Sequence, residues 1–557
     1  MPSTSLFVSL PEHVVDIIVS FLPQDDVLSL AQCNSKMYQR CIDKLYSKIM
    51  IRPLAKIDPS VESEQGLIWS VVGGTKHNVY VSDNTDTEIF KRRQEFLLDS
   101  LKTNAALGKL IKDVVIFSNE NTMLELVQWI KENALNLESF KVIGDSQALR
   151  LGATDFARLK NLKKCQINHL TDISHMPNGI TSISIGFMES FKDEENHMRN
   201  KQDCIEKLLA LDEIQLSSDE VSSLDFLKWF LDDIVLELPK LRLKLKRIKV
   251  IFYHGFDHYN ISLQKMVTQF LFLHCELSCL TSLELIMGCD KLGCGCLTSF
   301  VDNLAGYEFN NLTNLKNLAI VEKTVNRDHN FSENLDVNIC RLLTNLPDVG
   351  ENLQYLSIRH TPPLDGVLIN GFEGNYIRRR NLYEKVLPTL RSLKVLISPS
   401  FMQTCSCYEV LTSDLLWNGC ECEYCLSILP LFDEFIMNHS YFSKSEGVVK
   451  DVLSITLFGM ASSIMAERVL SIDDINGNES EFSLLQYPYK SAYWDFHKPF
   501  SVTCFDDYNC HFNKSVFESL CKVAGHFLSD YANNIFGILP NLDLVCFSGQ
   551  KFYKKQV

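Results

Sequence analysis

Read from Ile111 onward, the chain repeats one hexapeptide pattern that is apolar at its first, fourth and sixth positions. The repeats are IKDVVI, LESFKV, LKKCQI, ITSISI, LDEIQL, LKRIKV, LTSLEL, LKNLAI, LQYLSI, LRSLKV, VLSITL and LPNLDL. They start at 111, 137, 162, 180, 211, 245, 280, 315, 353, 390, 452 and 539. Any apolar-rich chain produces isolated matches, but from 211 to 390 successive starts stay 34 to 38 residues apart. Between them lie helical patterns, among them NTMLELVQWIKEN, LQKMVTQFLFLHCEL, VNICRLLTNL and NLYEKVLPTL. One short strand and one helix cannot bury their apolar sides alone, so neighbouring repeats must stack into an extended array. An array also accommodates 557 residues, a length at which one enlarged core is not expected.

One strand and one helix per period resembles a leucine-rich-repeat solenoid, in which a strand ladder lines one face and helices cover the other. The asparagine or cysteine that follows the strand in such repeats is mostly missing, although Asn119 fits, and the periods exceed the usual 20 to 29 residues or so. Residues 109–557 are therefore expected to form a leucine-rich-repeat-like α/β solenoid with irregular loops and divergent repeats after Val452. A doubly wound enzyme would need a phosphate-binding turn after a strand, and neither a G-x-G-x-x-G nor a Walker loop occurs. A G-x-S-x-G elbow and an H-E-x-x-H helix are also lacking, so the chain is expected to be non-catalytic.

The amino-terminal stretch LPEHVVDIIVSFLPQDDVLSLAQCNSKMYQRCIDKLY carries three short helical patterns. Pro11 suits a first helical turn, and Val14, Ile17, Ile18, Phe21 and Leu22 recur at helical spacing until Pro23 stops the helix. Asp25 or Asp26 can cap a second helix with Val27, Leu28, Leu30 and Ala31, and a third runs through Met37, Ile42 and Leu45. So small a bundle leaves apolar surface over for other packing.

The stretch resembles an F-box: Leu10, Pro11, Val14, Val15, Ile18, Leu22, Asp26, Val27, Leu28, Ala31, Lys36 and Tyr38 match its pattern without a gap. Met37 stands where many F-boxes have tryptophan, and Asn34-Ser35 replaces a common cysteine or serine followed by a basic residue. The resemblance implies an all-α F-box over 6–50, joined by a connector over 51–108 to the solenoid. It further implies docking onto the Skp adaptor, with cullin and RING subunits reached indirectly. Leu10, Pro11, Val14, Ile18, Leu22 and Leu28 are the expected contact residues, since exposed apolar rows mark partner surfaces.

With 54 basic against 69 acidic residues, the net charge of −15 opposes nonspecific attraction to phosphate backbones, and nucleic acid is not expected as a partner. No apolar run of about 18 residues suggests a membrane span. The opening MPSTSLFVSLPEHVVD has neither a basic leader nor a small-residue cleavage site, so a cytoplasmic or nuclear setting is expected.

In that setting clustered cysteines stay reduced and hold metal or catalyse more often than they form disulfides. Cys405, Cys407, Cys420, Cys422 and Cys425 supply C-x-C followed by C-x-C-x-x-C. Four of these five are expected to hold a structural zinc ion tetrahedrally, with thiolates at about 2.3 Å. Free cysteines also serve as small buried hydrophobes, and a nucleophilic cysteine would need a base that the sequence does not identify.

The run KLRLKLKRIKV, Lys240 to Val250, alternates basic and apolar residues, with Leu241, Leu243 and Leu245 expected inward and a slip at Arg247. Arg242, Lys244 and Lys246 then offer either a solvated face or a stripe for an acidic or phosphorylated segment of a substrate protein. By resemblance the chain is expected to be the substrate-recognition subunit of a Skp/cullin/F-box ubiquitin ligase, working by proximity and leading its target to degradation. The alternatives are a Skp-bound scaffold without a ligase role and a zinc-dependent enzyme.

Overall fold

The structure is a computed structural model. It describes residues 10–22, 24–54, 69–76, 84–117, 123–143, 146–167, 169–185, 201–216, 226–254, 261–289, 300, 302, 304, 311–322, 329–345, 351–359, 382–397, 532–547 and 550–554. These residues make a mixed α/β protein whose strands pair in parallel except for the last pair, with helices between most of them. The chain divides into two compact units, Met1–Ser217 with Val221–Phe226, and Ser218–Glu220 with Leu227–Val557.

The first unit opens with three helices, α1 (Glu12–Ser20), α2 (Gln24–Ala31) and α3 (Ser35–Ser47). Strands follow: β1 (Lys48–Leu54), β2 (Ser70–Lys76), β3 (Asp113–Phe117), β4 (Ser139–Ile143), β5 (Lys164–Ile167), β6 (Ser182–Ile185) and β7 (Glu213–Leu216). Their spatial order is β7-β6-β5-β4-β3-β1-β2. Parallel neighbours need a crossover, and helices Leu124–Asn133, Ala153–Arg158, Leu170–His175 and Lys201–Leu209 supply it. Alternate strand residues such as Val114, Ile116, Phe140, Ile167, Ile183, Ile214 and Leu216 are buried, as are Leu126, Ile130, Phe156, Ile173 and Leu208 on the helices.

Residues 51–108, expected as a connector, carry the end of β1, strand β2, and the helix Asn84–Thr103. Helix α3 runs into β1 without an intervening residue, and the Lys112 amide donates to Ser47 O at 2.8 Å. The helical bundle and the sheet of this unit are thus one continuous piece of chain.

The second unit carries β8 (Arg247–His254), β9 (Ser282–Cys289), β10 (Asn317–Glu322), β11 (Tyr355–Arg359), β12 (Val395–Ile397), β13 (Leu544–Phe547) and β14 (Gln550–Tyr553). They lie in the order β14-β13-β12-β11-β10-β9-β8, all parallel except the β13/β14 pair. Here the sheet is buried on both faces at several positions: Leu356 and Ile358 on one side, Tyr355 and Ser357 on the other, with Leu396 opposed by Val395 and Ile397.

Register shows where the repeat reading slipped. Tyr355 pairs with Val395 and Val395 with Leu544, so Leu353 is matched by Leu393 and Leu542, three residues after the expected starts at 390 and 539. Leu390 and Leu539 instead close the turn that leads into each strand: Leu393 N–H donates to Leu390 O at 3.1 Å and Leu542 N–H to Leu539 O at 3.1 Å. The repeat expected at 452 lies outside the described residues. Among the described residues, β12 pairs directly with β13.

A side-chain ladder also joins the repeats. Asn136 donates to Lys109 O at 2.8 Å, Asn161 to Leu135 O at 3.1 Å, Asn314 to Ser278 O at 2.7 Å, and Asn352 to Thr313 O at 2.7 Å. Ser392 donates to Glu351 O and Asn541 to Arg391 O in the same way, at 2.7 and 2.8 Å. Each donor stands one residue before the leading leucine of its repeat, and each acceptor lies in the preceding repeat.

Candidate functional site

Helix α1 is apolar on more than one side, and the bundle decides which side is used internally. Val15 and Val19, four residues apart, are buried with Val27 of α2 and with Met37 and Cys41 of α3. Leu10, Leu22, Leu30, Ala31 and Leu45 lean against this small core from its rim. Met37, at the position where many F-boxes have tryptophan, is 2% exposed and fills the centre of the bundle.

Polar contacts hold the helices in place. The Pro11 carbonyl accepts from Val14 and Val15 at 3.0 and 3.2 Å, opening α1, and Asn34 Oδ1 accepts from the Met37 amide at 2.9 Å, capping α3. The last carbonyls of α1 have no partner within their helix. Lys44 supplies one from α3: its ammonium donates to Val19 O and Ser20 O, each at 2.9 Å, and to Leu22 O at 2.6 Å. Burial pushes the Lys44 ammonium down to about 8. Arg40 bridges Glu12 and, at 3.3 Å, Asp16, and its hydrogen bond holds the Glu12 carboxyl below the usual range.

The bundle is also tied to the sheet. Gln24, the first residue of α2, accepts from the Val71 amide at 2.9 Å and donates to the Val71 carbonyl at 3.4 Å. Its side-chain amide thus takes the place that a further strand would occupy beside β2, and Arg93 donates to Gly73 O of the same strand at 2.7 Å.

Apolar side chains also remain outside, among polar ones. Ile17 is 55% exposed, Phe21 71%, Leu28 42% and Tyr38 39%. Val14, Ile17 and Phe21 share one face of α1 at three and four residue spacing, while Val15, Val19 and Leu22 share the inward one. Of the residues expected to meet an adaptor, Pro11 and Leu28 are exposed and Val14 and Ile18 half-buried. Leu10 and Leu22 are half-buried against the core. Sequence reasoning placed Ile17 and Phe21 on the apolar face but did not single them out. The available signal was that seven of the nine positions from Val14 to Leu22 are apolar, more than one buried stripe requires.

The other expected sites fall elsewhere. Arg242, Lys244 and Lys246 are exposed in the second unit, with Leu243 and Leu245 buried between them and Ile248 and Val250 buried beyond the slip. Cys405, Cys407, Cys420, Cys422 and Cys425 lie outside the described residues. Among the described residues no group of three or more histidine, cysteine or acidic side chains is placed to hold a metal ion, and no helix is long and apolar enough to cross a membrane.

These elements define a class: an α/β protein with a parallel repeat sheet, headed by a three-helix bundle that keeps apolar side chains outside. No protein-family model matches the chain. It is similar to Non-SCF-type F-box protein ROY1 of Saccharomyces cerevisiae, with 31% identity over 543 residues, covering 96% of this chain and 94% of the relative. At that identity and coverage, the chain belongs to the F-box proteins.

Proposed function

We propose that the chain is a non-catalytic F-box protein that binds a Skp adaptor through α1–α3 and recruits a second protein through its repeat sheet, outside a cullin-based ligase. The observation that carries the adaptor contact is the exposed set Ile17, Phe21, Leu28 and Tyr38, beside the F-box match at Pro11, Val14 and Ile18. Covering such side chains contributes roughly 1.5–3 kcal/mol each, enough for three or four of them to sustain a specific contact. The absence of a cullin partner is supported by the similar yeast protein, whose name states that it is of the non-SCF type.

The ligase-receptor reading suggested by the F-box resemblance shares the adaptor contact and parts from this one at the cullin. In both, the chain acts by holding two proteins together, and no bond chemistry of its own is needed. A structural zinc ion held by four of Cys405, Cys407, Cys420, Cys422 and Cys425, and a cytoplasmic or nuclear setting, belong to the same proposal.

Copurification tests it. The tagged chain is expected to bring down the Skp adaptor without the cullin, and F21D combined with L28D is expected to release the adaptor while leaving the thermal unfolding midpoint within about 2 °C, since surface substitutions change stability little. Stoichiometric cullin in the pull-down would restore the ligase receptor. Adaptor retained by the double variant would remove the proposed surface.

A further inference from the structure

The backbone ladder that stacks the repeats also aligns side chains far apart in sequence. In the second unit the residue before each strand donates its amide to the carbonyl of the equivalent residue one repeat earlier. Thr281 donates to Lys246 at 2.8 Å, Lys316 to Thr281 at 2.9 Å, and Gln354 to Lys316, Lys394 to Gln354 and Asp543 to Lys394 at 2.8 Å each. Lys246, Lys316, Gln354, Lys394 and Asp543 are exposed and Thr281 is half-buried. Lysines therefore stand on every second rung, about 10 Å apart at one strand spacing per rung.

Exposed Arg242 and Lys244 precede Lys246 in the same run of chain, at the basic end of the column. Their backbone is anchored, because Leu243 N–H donates to His274 O and Glu276 N–H to Leu243 O, both at 2.8 Å. At the other end Arg391 is exposed too. Among the described residues, the acidic ones on this edge are Glu351, exposed, and Glu276, half-buried, besides Asp543. The corresponding column of the first unit reads Lys112, Glu138, Lys163, Thr181, Asp212, and there Lys163 lies 2.6 Å from Glu138, so the signs cancel locally. A run of cations on one edge stands out in a chain of net charge −15.

We propose that this edge, Arg242, Lys244, Lys246, Lys316 and Lys394, docks an extended acidic segment of the protein that the repeat sheet recruits; it deepens the recruiting role proposed above and rests on it. The form of the surface selects the ligand. A membrane would meet a broad cationic plane, whereas these lysines stand in single file with glutamate and aspartate beside them. An extended chain of polyproline-II form has three residues per turn and advances about 3.1 Å per residue, so acidic side chains at every third position return to one face about 9 Å apart and meet successive lysines. Charge-assisted contacts of this kind bind carboxylates, and phosphorylated side chains more strongly.

The test uses the full chain bound to its Skp adaptor and a fluorescent peptide of about twelve residues with glutamate at every third position and serine elsewhere, read by anisotropy. Binding is expected to weaken with salt and to fall about tenfold when glutamine replaces glutamate, a loss of about 1.4 kcal/mol. K246E, K316E and K394E combined are expected to lower affinity at least about tenfold, and the uncharged K246Q/K316Q/K394Q about threefold or more, whereas K112E in the first unit leaves it unchanged. Equal binding of the two peptides, or unchanged affinity in both triple variants, would overturn the proposal. Capture of phosphatidylserine vesicles without peptide binding would overturn it too. Adaptor retention is measured on the same samples, so loss of the adaptor by the wild-type chain counts against the proposed adaptor contact and not against this edge.

Discussion

Lys44 illustrates how one side chain closes a bundle too small to close itself. It crosses from α3 to three carbonyls at the end of α1, where a positive charge is favoured by the helix dipole. Burial nevertheless prevails and sets its titration at about 8, against 10.5 for an ordinary lysine. The folded state therefore releases this proton before the unfolded state does. Linkage then makes the contribution of this group flat below about pH 8 and increasingly favourable as pH climbs toward the ordinary lysine value. The gap in unfolding temperature between wild type and Lys44→Gln is expected to widen between about pH 8 and pH 10; a gap that narrows over that range would contradict the assignment. Met37 makes a different point at this scale: an absent tryptophan is compensated by another large apolar side chain, 2% exposed, in the same core.

At the scale of elements, strands β3 to β11 were legible because an apolar residue at the fourth and sixth positions marks the buried face of each. The start of the last repeats was not, because Leu390 and Leu393 are both buried and both satisfy a leucine pattern; only pairing with β11 separates the turn leucine from the strand leucine. The asparagine ladder was printed in the sequence as Asn-Leu at 136–137, 161–162, 314–315, 352–353 and 541–542, ahead of each strand and not behind it. Its role became visible once each amide was seen to reach a carbonyl of the preceding repeat. Asn161→Ala and Asn352→Ala are each expected to lower stability by about 1 kcal/mol, near-additively because the sites are distant, as measured by urea denaturation. A cost near zero for both would mean that water replaces the ladder without loss.

On the scale of the whole molecule, the long stretch between β12 and β13 is an insertion between two strands that pair with each other directly. The cysteines from Cys405 to Cys425 all fall within it. If four of them hold zinc, elemental analysis is expected to find about one zinc per chain, and substituting Cys405 and Cys425 together to remove it. Since the proposed adaptor contact lies on α1–α3, in the other compact unit, the zinc-depleted chain is expected to keep its adaptor. Less than about half a zinc per chain, unchanged by the substitutions, would leave these cysteines as ordinary small side chains.

The amino-acid sequence by itself determined the periodic alternation of strand and helix, the parallel stacking that follows from it, and the three-helix head, because local periodicity and capping depend on residues a few positions apart. Only the tertiary structure decided which apolar face of α1 is left outside, that Gln24 closes the edge of β2, and that Lys246, Lys316 and Lys394 share one edge. Those outcomes depend on register between segments tens of residues apart, and a one-dimensional pattern does not carry that register.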